Sequence, residues 1–136
     1  MVEKNTDNYR HKGGSVSFIR YHFVWIPRRR RKVLVGPVAD RLDALIAGQA
    51  STLQLEIVRL AIQPDHVHPF VSADPDLAPS TIVGRIKGAT ARVLRDEFPD
   101  LRKMPSMWTT SFFVSTAGNV SAETIQRSID AQSTRA

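Results

Sequence analysis

The chain has 136 residues, 42% of them hydrophobic, and no cysteine; this is enough for one domain with an ordinary core, and it excludes disulfides and thiolate metal sites. A formal net charge of +6 favours a polyanionic partner such as nucleic acid. No apolar run approaches the roughly 20 residues that span a bilayer, so we expect a cytoplasmic protein with no membrane partner. We expect a single domain, 1–136, in which residues 1–14 form a flexible tail.

The first predicted elements are a strand and a helix separated by a basic run. In the strand, residues 15–26, alternation places Ile19, Tyr21, Phe23 and Trp25 on one face and Phe18, Arg20, His22 and Val24 on the other. The run "RRRRK", 28–32, is equally consistent with a solvated surface and with a DNA contact. Gly36 and Pro37 then begin a helix that extends to about Gln49.

A hairpin follows the first helix. The segment "TLQLEIVRLAI" is rich in β-forming residues, and its apolar phase slips at Ile57 and Val58, which predicts a bulge. The turn "QPDH" leads into the strand "HVHPFVS". We therefore predict two paired strands with a pair of histidines on the second.

The remaining segments predict a helix, a strand and a helix. "PSTIVGRIKGATARVLRDEF" is amphipathic and basic with Ser80 as its N-cap, "FFVST" is a short strand, and the last helix begins at Ser121. The complete order is strand, helix, strand, strand, helix, strand, helix. It is typical of an α+β, ferredoxin-like split β-α-β sandwich: an antiparallel sheet with two helices on one face and an extra C-terminal helix.

The histidine pair is the first candidate site. Strand alternation places His66, His68 and Phe70 on one face, where two imidazoles could bind one metal ion, although H-x-H alone is a weak signal and a pair of satisfied histidines is the open alternative. Asp65 could orient a histidine from the second coordination shell. On the last helix Gln132 could add an amide oxygen, with Ser128 on the same face. Two imidazoles and an amide oxygen, with open positions, suit Mg²⁺ or Mn²⁺ polarising a phosphate.

These motifs together resemble the single-tyrosine HUH transposases, the transposase A type of small bacterial insertion sequences. The resemblance extends from "YHFVWIPRRRRKVL" through "QPDHVHPFV" and "IKGATARVLRDEFP" to "TIQRSIDAQ". The His-hydrophobic-His pair corresponds to His66 and His68, the metal-binding glutamine to Gln132, and a Lys-Gly step of the basic helix to Lys87 and Gly88.

The resemblance implies a homodimer that binds single-stranded DNA hairpins and uses a divalent metal to cleave and rejoin strands. In such enzymes a tyrosine on the last helix attacks the phosphodiester and forms a covalent protein-DNA link, and the helix of one subunit serves the site of the other. The candidate DNA-binding residues lie in the basic run and the basic helix: Arg28, Arg29, Arg30, Arg31, Lys32, Arg85, Lys87 and Arg92.

Three positions depart from the family pattern. The tyrosine position is Ser128, Pro69 stands where an aliphatic residue is usual, and Arg29 stands where tyrosine is common. The only tyrosines are Tyr9 and Tyr21, and neither lies on the last helix. We therefore assign the catalytic positions to His66, His68 and Ser128 and expect DNA binding without covalent cleavage.

Two alternatives to an active transposase remain open at this level. One is a hairpin-binding protein that has lost cleavage. The other is an unrelated metallohydrolase that uses the H-x-H pair, for which only His11 and His22 remain as further nitrogen ligands.

Overall fold

The structure is a computed structural model that describes residues 9–134. Its strands are β1 (Arg10–Lys12), β2 (Ser15–Ser17), β3 (Arg20–Val24), β4 (Glu56–Gln63), β5 (His66–Ser72) and β6 (Phe113–Ser115). Its α-helices are α1 (Gly36–Thr52), α2 (Pro79–Glu97) and α3 (Ala122–Ser133), with 3-10 turns at Arg28–Arg30 and Pro99–Lys103.

A four-stranded antiparallel sheet in the order β4-β5-β3-β6 forms the centre of the fold. One face, with Phe23 of β3 and Trp25 just after the strand, packs against α1 and α2 through a core that includes Leu42 and Ile86. The opposite face packs against α3, where Ile129 contacts Val24 and Ile26. The predicted class, an antiparallel sheet with two helices on one face and an extra C-terminal helix, is confirmed.

The N-terminal segment differs from the prediction. Residues 15–26 do not form one strand: β2 separates from β3 and pairs with β1, so that residues 10–14, expected in a flexible tail, belong to a hairpin. Gly13 has a φ of +56°, which allows the tight turn. Lys12 holds the hairpin against the domain through Asp74 at 2.8 Å and Asp76 at 3.1 Å. Residues 1–8 of the expected tail lie outside the described residues.

The central strand β5 contains both the predicted histidine pair and Pro69. The ladder with β3 runs from Arg20↔Ser72 to His22↔Phe70 and resumes only as an isolated bridge between Trp25 and Val67. This register places Pro69 opposite Phe23, in the interval where the ladder is broken, because a proline has no N–H to donate. The predicted bulge in β4 is confirmed by the register shift between Ile57 and Arg59.

The helix starts depend on local capping. Ser121 accepts a hydrogen bond from the Thr124 N–H at 3.1 Å, as predicted for the start of α3. The start of α2 was predicted two residues late: the N-cap is Ala78 rather than Ser80, it makes no side-chain cap, and Pro79 is the first residue of the helix, because a proline is favoured at the first helical position. Within residues 9–134 no helix has the length and apolarity needed to cross a membrane.

Candidate metal and nucleic-acid site

The two predicted site histidines lie on the sheet face that α3 covers. Side chains alternate along a strand, so His66 and His68 of β5 share this face with His22 and Val24 of β3. The register that pairs His22 with Phe70 places Val24 beside His68 on the neighbouring strand. Gly118, in the loop between β6 and α3, borders the same face.

Asp65 and Arg30 hold His66. The His66 Nδ1–H donates to Asp65 Oδ1 at 3.0 Å, and Arg30 Nε donates to the other carboxylate oxygen at 3.0 Å. Arg30 also reaches Asp130 on α3 at 2.9 Å. Burial by itself would raise the pKa of Asp65, but the hydrogen bonds from His66 and Arg30 outweigh it and lower that pKa below its ordinary value. Because Nδ1 of His66 carries the proton, its Nε2 keeps a lone pair for a ligand.

His68 contacts a third histidine. Its Nε2 lies 3.1 Å from Nδ1 of His22, and Nε2 of His22 lies 3.3 Å from the Gly118 carbonyl oxygen. A carbonyl only accepts, so His22 donates from Nε2, accepts at Nδ1, and leaves His68 with a lone pair on Nδ1. Burial first, and then the neighbouring His22, His66 and Arg59, lower the pKa of His68 to about 4. His68 is therefore neutral near pH 7, in the form that binds metals.

Gln132 of α3 lies on the same face. Its Nε2 donates to the Val24 carbonyl at 3.0 Å, and Val24 stands beside His68. The residue is 4% exposed, and its Oε1 is buried without a hydrogen-bond partner in the part of the chain that the structure describes. Within residues 9–134 no three His, Cys, Asp or Glu side chains are gathered to hold a metal. Among these residues a third protein ligand beside the two histidines would be of another type, and an amide oxygen without a partner is suited to that position.

Ser128 lies one helical turn before Gln132 and is half-buried. Its Oγ donates to the Ile125 carbonyl of the same helix at 2.8 Å. The hydroxyl is thus bonded within α3, and its short side chain keeps it close to the helix axis. Tyr21, one of the two tyrosines in the chain, lies on the opposite sheet face, which packs against α1 and α2.

The predicted DNA-binding residues separate into two groups. Arg28 donates to Ser106 Oγ at 3.1 Å, and Arg30 is ion-paired as described. Lys87 donates to the carbonyls of Thr109 at 2.6 Å and Ser111 at 3.0 Å, and burial lowers its pKa to about 8. These three side chains donate hydrogen bonds to groups of the protein itself. The exposed members are Arg29, Arg31, Lys32, Arg85 and Arg92.

The backbone of the basic run explains this separation. Arg29 and Arg30 have φ values of +59° and +54°, a conformation that residues with a Cβ rarely adopt. This turn directs Arg30 back towards Asp65 and leaves Arg29 in solvent. Local sequence reasoning detects the charge run but cannot detect the turn. It also considered His22 only as a further nitrogen ligand of an unrelated metallohydrolase, although strand alternation already placed His22 on the face of Val24.

Comparisons with known proteins agree on one family. The family model described as "Transposase IS200 like" matches residues 15–132. The ISDra2 transposase TnpA of Deinococcus radiodurans is 34% identical over 122 residues, which are 88% of this chain and 87% of that protein. The transposase for insertion sequence element IS200 of Salmonella typhimurium is 23% identical over 107 residues, 76% of this chain and 70% of that protein.

Solved structures show the same likeness. The crystal structure of a Deinococcus radiodurans R1 protein assigned as a transposase has a TM-score of 0.84 at 34% identity, covering 90% of this chain and 97% of that one. A REP-associated tyrosine transposase bound to a REP hairpin has a TM-score of 0.57 at 16% identity, covering 90% and 69%, and shows a likeness of fold alone. Since the family model covers most of the chain and a relative is 34% identical over nearly its whole length, this protein belongs to the IS200-like transposase family of insertion sequences.

Proposed function

We propose that this transposase binds the single-stranded hairpin ends of its insertion sequence and holds one divalent ion, Mg²⁺ or Mn²⁺, between His66, His68 and Gln132. The observation that carries the proposal is the buried Oε1 of Gln132, which has no partner among the described residues and lies over the strand next to His68. A buried acceptor without a donor is unfavourable by about 1–3 kcal/mol. A bound cation would satisfy it.

The residues present fit such an ion. His66 offers Nε2, His68 is neutral, and Gln132 offers an oxygen, which leaves open coordination positions for a phosphate. When bound, the ion supplies Lewis-acid polarisation of the scissile phosphate. Asp65 fixes the tautomer and direction of His66, and Arg30 positions Asp65 while tying it to α3. On this proposal the metal site and the position of α3 depend on each other.

For the DNA backbone we propose a narrower set of contacts than the charge run implies. The exposed arginines and lysine of residues 29–32 and the exposed Arg85 and Arg92 are available for phosphates. Arg28, Arg30 and Lys87 donate to protein groups instead. Replacing one of the exposed residues should weaken binding uniformly across sequences and reduce its salt dependence.

We also propose that the protein acts as a homodimer, as the resemblance implies. Here α3 packs on the sheet of its own chain, so Gln132 reaches the histidine face without a second subunit. A dimer would therefore serve to hold two DNA ends together. Light scattering at micromolar concentration, with and without a DNA hairpin, tests this, and a monomer under both conditions would contradict it.

Covalent cleavage is the step that this chain lacks on our proposal. A phosphotyrosine link needs a phenol oxygen that reaches from α3 to the phosphate, whereas Ser128 is several ångströms shorter and its hydroxyl donates to Ile125. An alcohol is also far less acidic than a phenol. The second candidate function, hairpin binding without cleavage, is favoured by this observation for the sequence as it stands.

The experiment is Ser128→Tyr, with Ser133→Tyr as a matched control on another side of the same helix. Each protein is incubated with Mn²⁺ and a single-stranded hairpin carrying the element's end. We expect a denaturant-resistant protein-DNA adduct with Ser128→Tyr alone, and its loss when EDTA replaces Mn²⁺. An equal adduct from the unaltered protein would show that another residue is the nucleophile.

A further inference from the structure

A cavity of about 320 Å³ lies between the N-terminal segment and the loop that joins β6 to α3. Phe18, Arg20, Phe70 and Gly118 contribute to its walls. This volume is at the lower end of small-molecule sites. The apolar contacts of α3 are with Val24 and Ile26, further along the sheet, so this end of the histidine face is not covered by the helix.

Flat side chains form a continuous row from the cavity to the histidines. The Arg20 guanidinium lies 4.7 Å from the ring centroid of Phe18 and 5.8 Å from that of Phe70. The Phe70 ring stacks on His22 at 4.0 Å with an interplanar angle of 8°, and the His22 ring lies 5.3 Å from that of His68. The cavity is therefore two rings away from a proposed metal ligand.

Two features of this cavity match a nucleobase. Phe18 is 47% exposed, so part of its aromatic surface remains in solvent beside the cavity. Arg20 lines the cavity, and its guanidinium group carries several N–H donors in a fixed plane. A nucleobase has an aromatic face to stack and ring-nitrogen or carbonyl acceptors on its edge. An apolar protein side chain would offer no acceptor to the Arg20 guanidinium, and a bare phosphate would gain nothing from Phe18.

We propose that this cavity binds one unpaired base of single-stranded DNA, namely that of a nucleotide next to the phosphate held at the histidines. The inference rests on the proposed function and extends it. Stacking on Phe18 and donation from Arg20 position the strand beside the metal site. A duplex cannot use the cavity, because its bases are stacked on each other and paired.

The probes are a fluorescent dT12 and a 12-mer of abasic sites with the same backbone charge. Phe18→Ala should weaken dT12 binding about tenfold, within the usual range for losing one base-aromatic stack, and should leave abasic binding unchanged. Phe18→Trp should retain dT12 binding. Val16→Ala is the matched control, since Val16 is 61% exposed on the neighbouring hairpin strand and does not line the cavity.

The outcomes separate this proposal from the one on which it rests. If the unaltered protein binds neither probe, single-strand binding itself is wrong. If it binds dT12 and Phe18→Ala weakens both probes equally, or neither, the base site is overturned while the proposed function stands. A change of oligomeric state in Phe18→Ala, with unchanged dT12 affinity, would assign the cavity to contacts between copies of the chain.

Discussion

Replacing Gln132 by methionine removes the one proposed ligand that is not a histidine and keeps a side chain of similar length. The change deletes the hydrogen bond to the Val24 carbonyl, which costs about 1 kcal/mol, and it removes the buried Oε1 that has no partner within residues 9–134, which gains about 2 kcal/mol. Methionine adapts well to an apolar site. In EDTA, Gln132→Met should therefore raise the free energy of unfolding by about 1 kcal/mol.

The assay is urea unfolding in EDTA and in Mn²⁺. The unaltered protein should gain about 2.7 kcal/mol when the free ion is at roughly one hundred times its dissociation constant, and Gln132→Met should gain much less. Gln126→Met, on the exposed side of α3, is the control and should keep the full Mn²⁺ gain. A variant less stable than the unaltered protein by about 2 kcal/mol in EDTA, or one that retains the gain, would refute the reasoning.

Three further outcomes test the site. The pKa of His68 is about 4 in the folded state, against 6.5 for an ordinary histidine. As the pH falls, the unfolded chain therefore binds this proton first. The stability of the fold is full above pH 6.5 and decreases as the pH falls towards 4, by about 2 kcal/mol after allowing for partial exposure. Urea unfolding at pH 7 and 4.5 should show this loss, and a His68→Gln variant with the same pH slope would contradict it. Arg30→Met removes the arginine partner of Asp65, leaves it with the hydrogen bond from His66, and should lower Mn²⁺ affinity about tenfold, measured by calorimetry. Arg31→Met, at an exposed position, should instead leave Mn²⁺ affinity unchanged and reduce the slope of log affinity for DNA against log salt by about 1; the reverse pattern would show that the two arginines have been assigned the wrong roles.

Patterns carried by neighbouring residues were sufficient to predict the fold class, although they missed the N-terminal hairpin. Apolar alternation and helical spacing indicated the four strands of the main sheet and the three helices, and the phase slip at Ile57 located the bulge in β4. Ser121 marked the start of α3 because a serine side chain can accept from the first-turn N–H groups. The common face of His66 and His68 followed from the two-residue period of a strand.

Contacts between distant segments were decided only by the tertiary structure. The contact between His22 and His68, the ion pairs of Arg30 and the lysine bonds to Thr109 and Ser111 join residues that are far apart in the chain. They depend on strand register and on where α3 packs, which no local pattern encodes. For this reason the sequence by itself determined the fold class, the histidine pair and the absence of a tyrosine from the last helix. Only the folded chain decided which basic side chains remain exposed and that the buried Gln132 has one oxygen without a partner among the described residues.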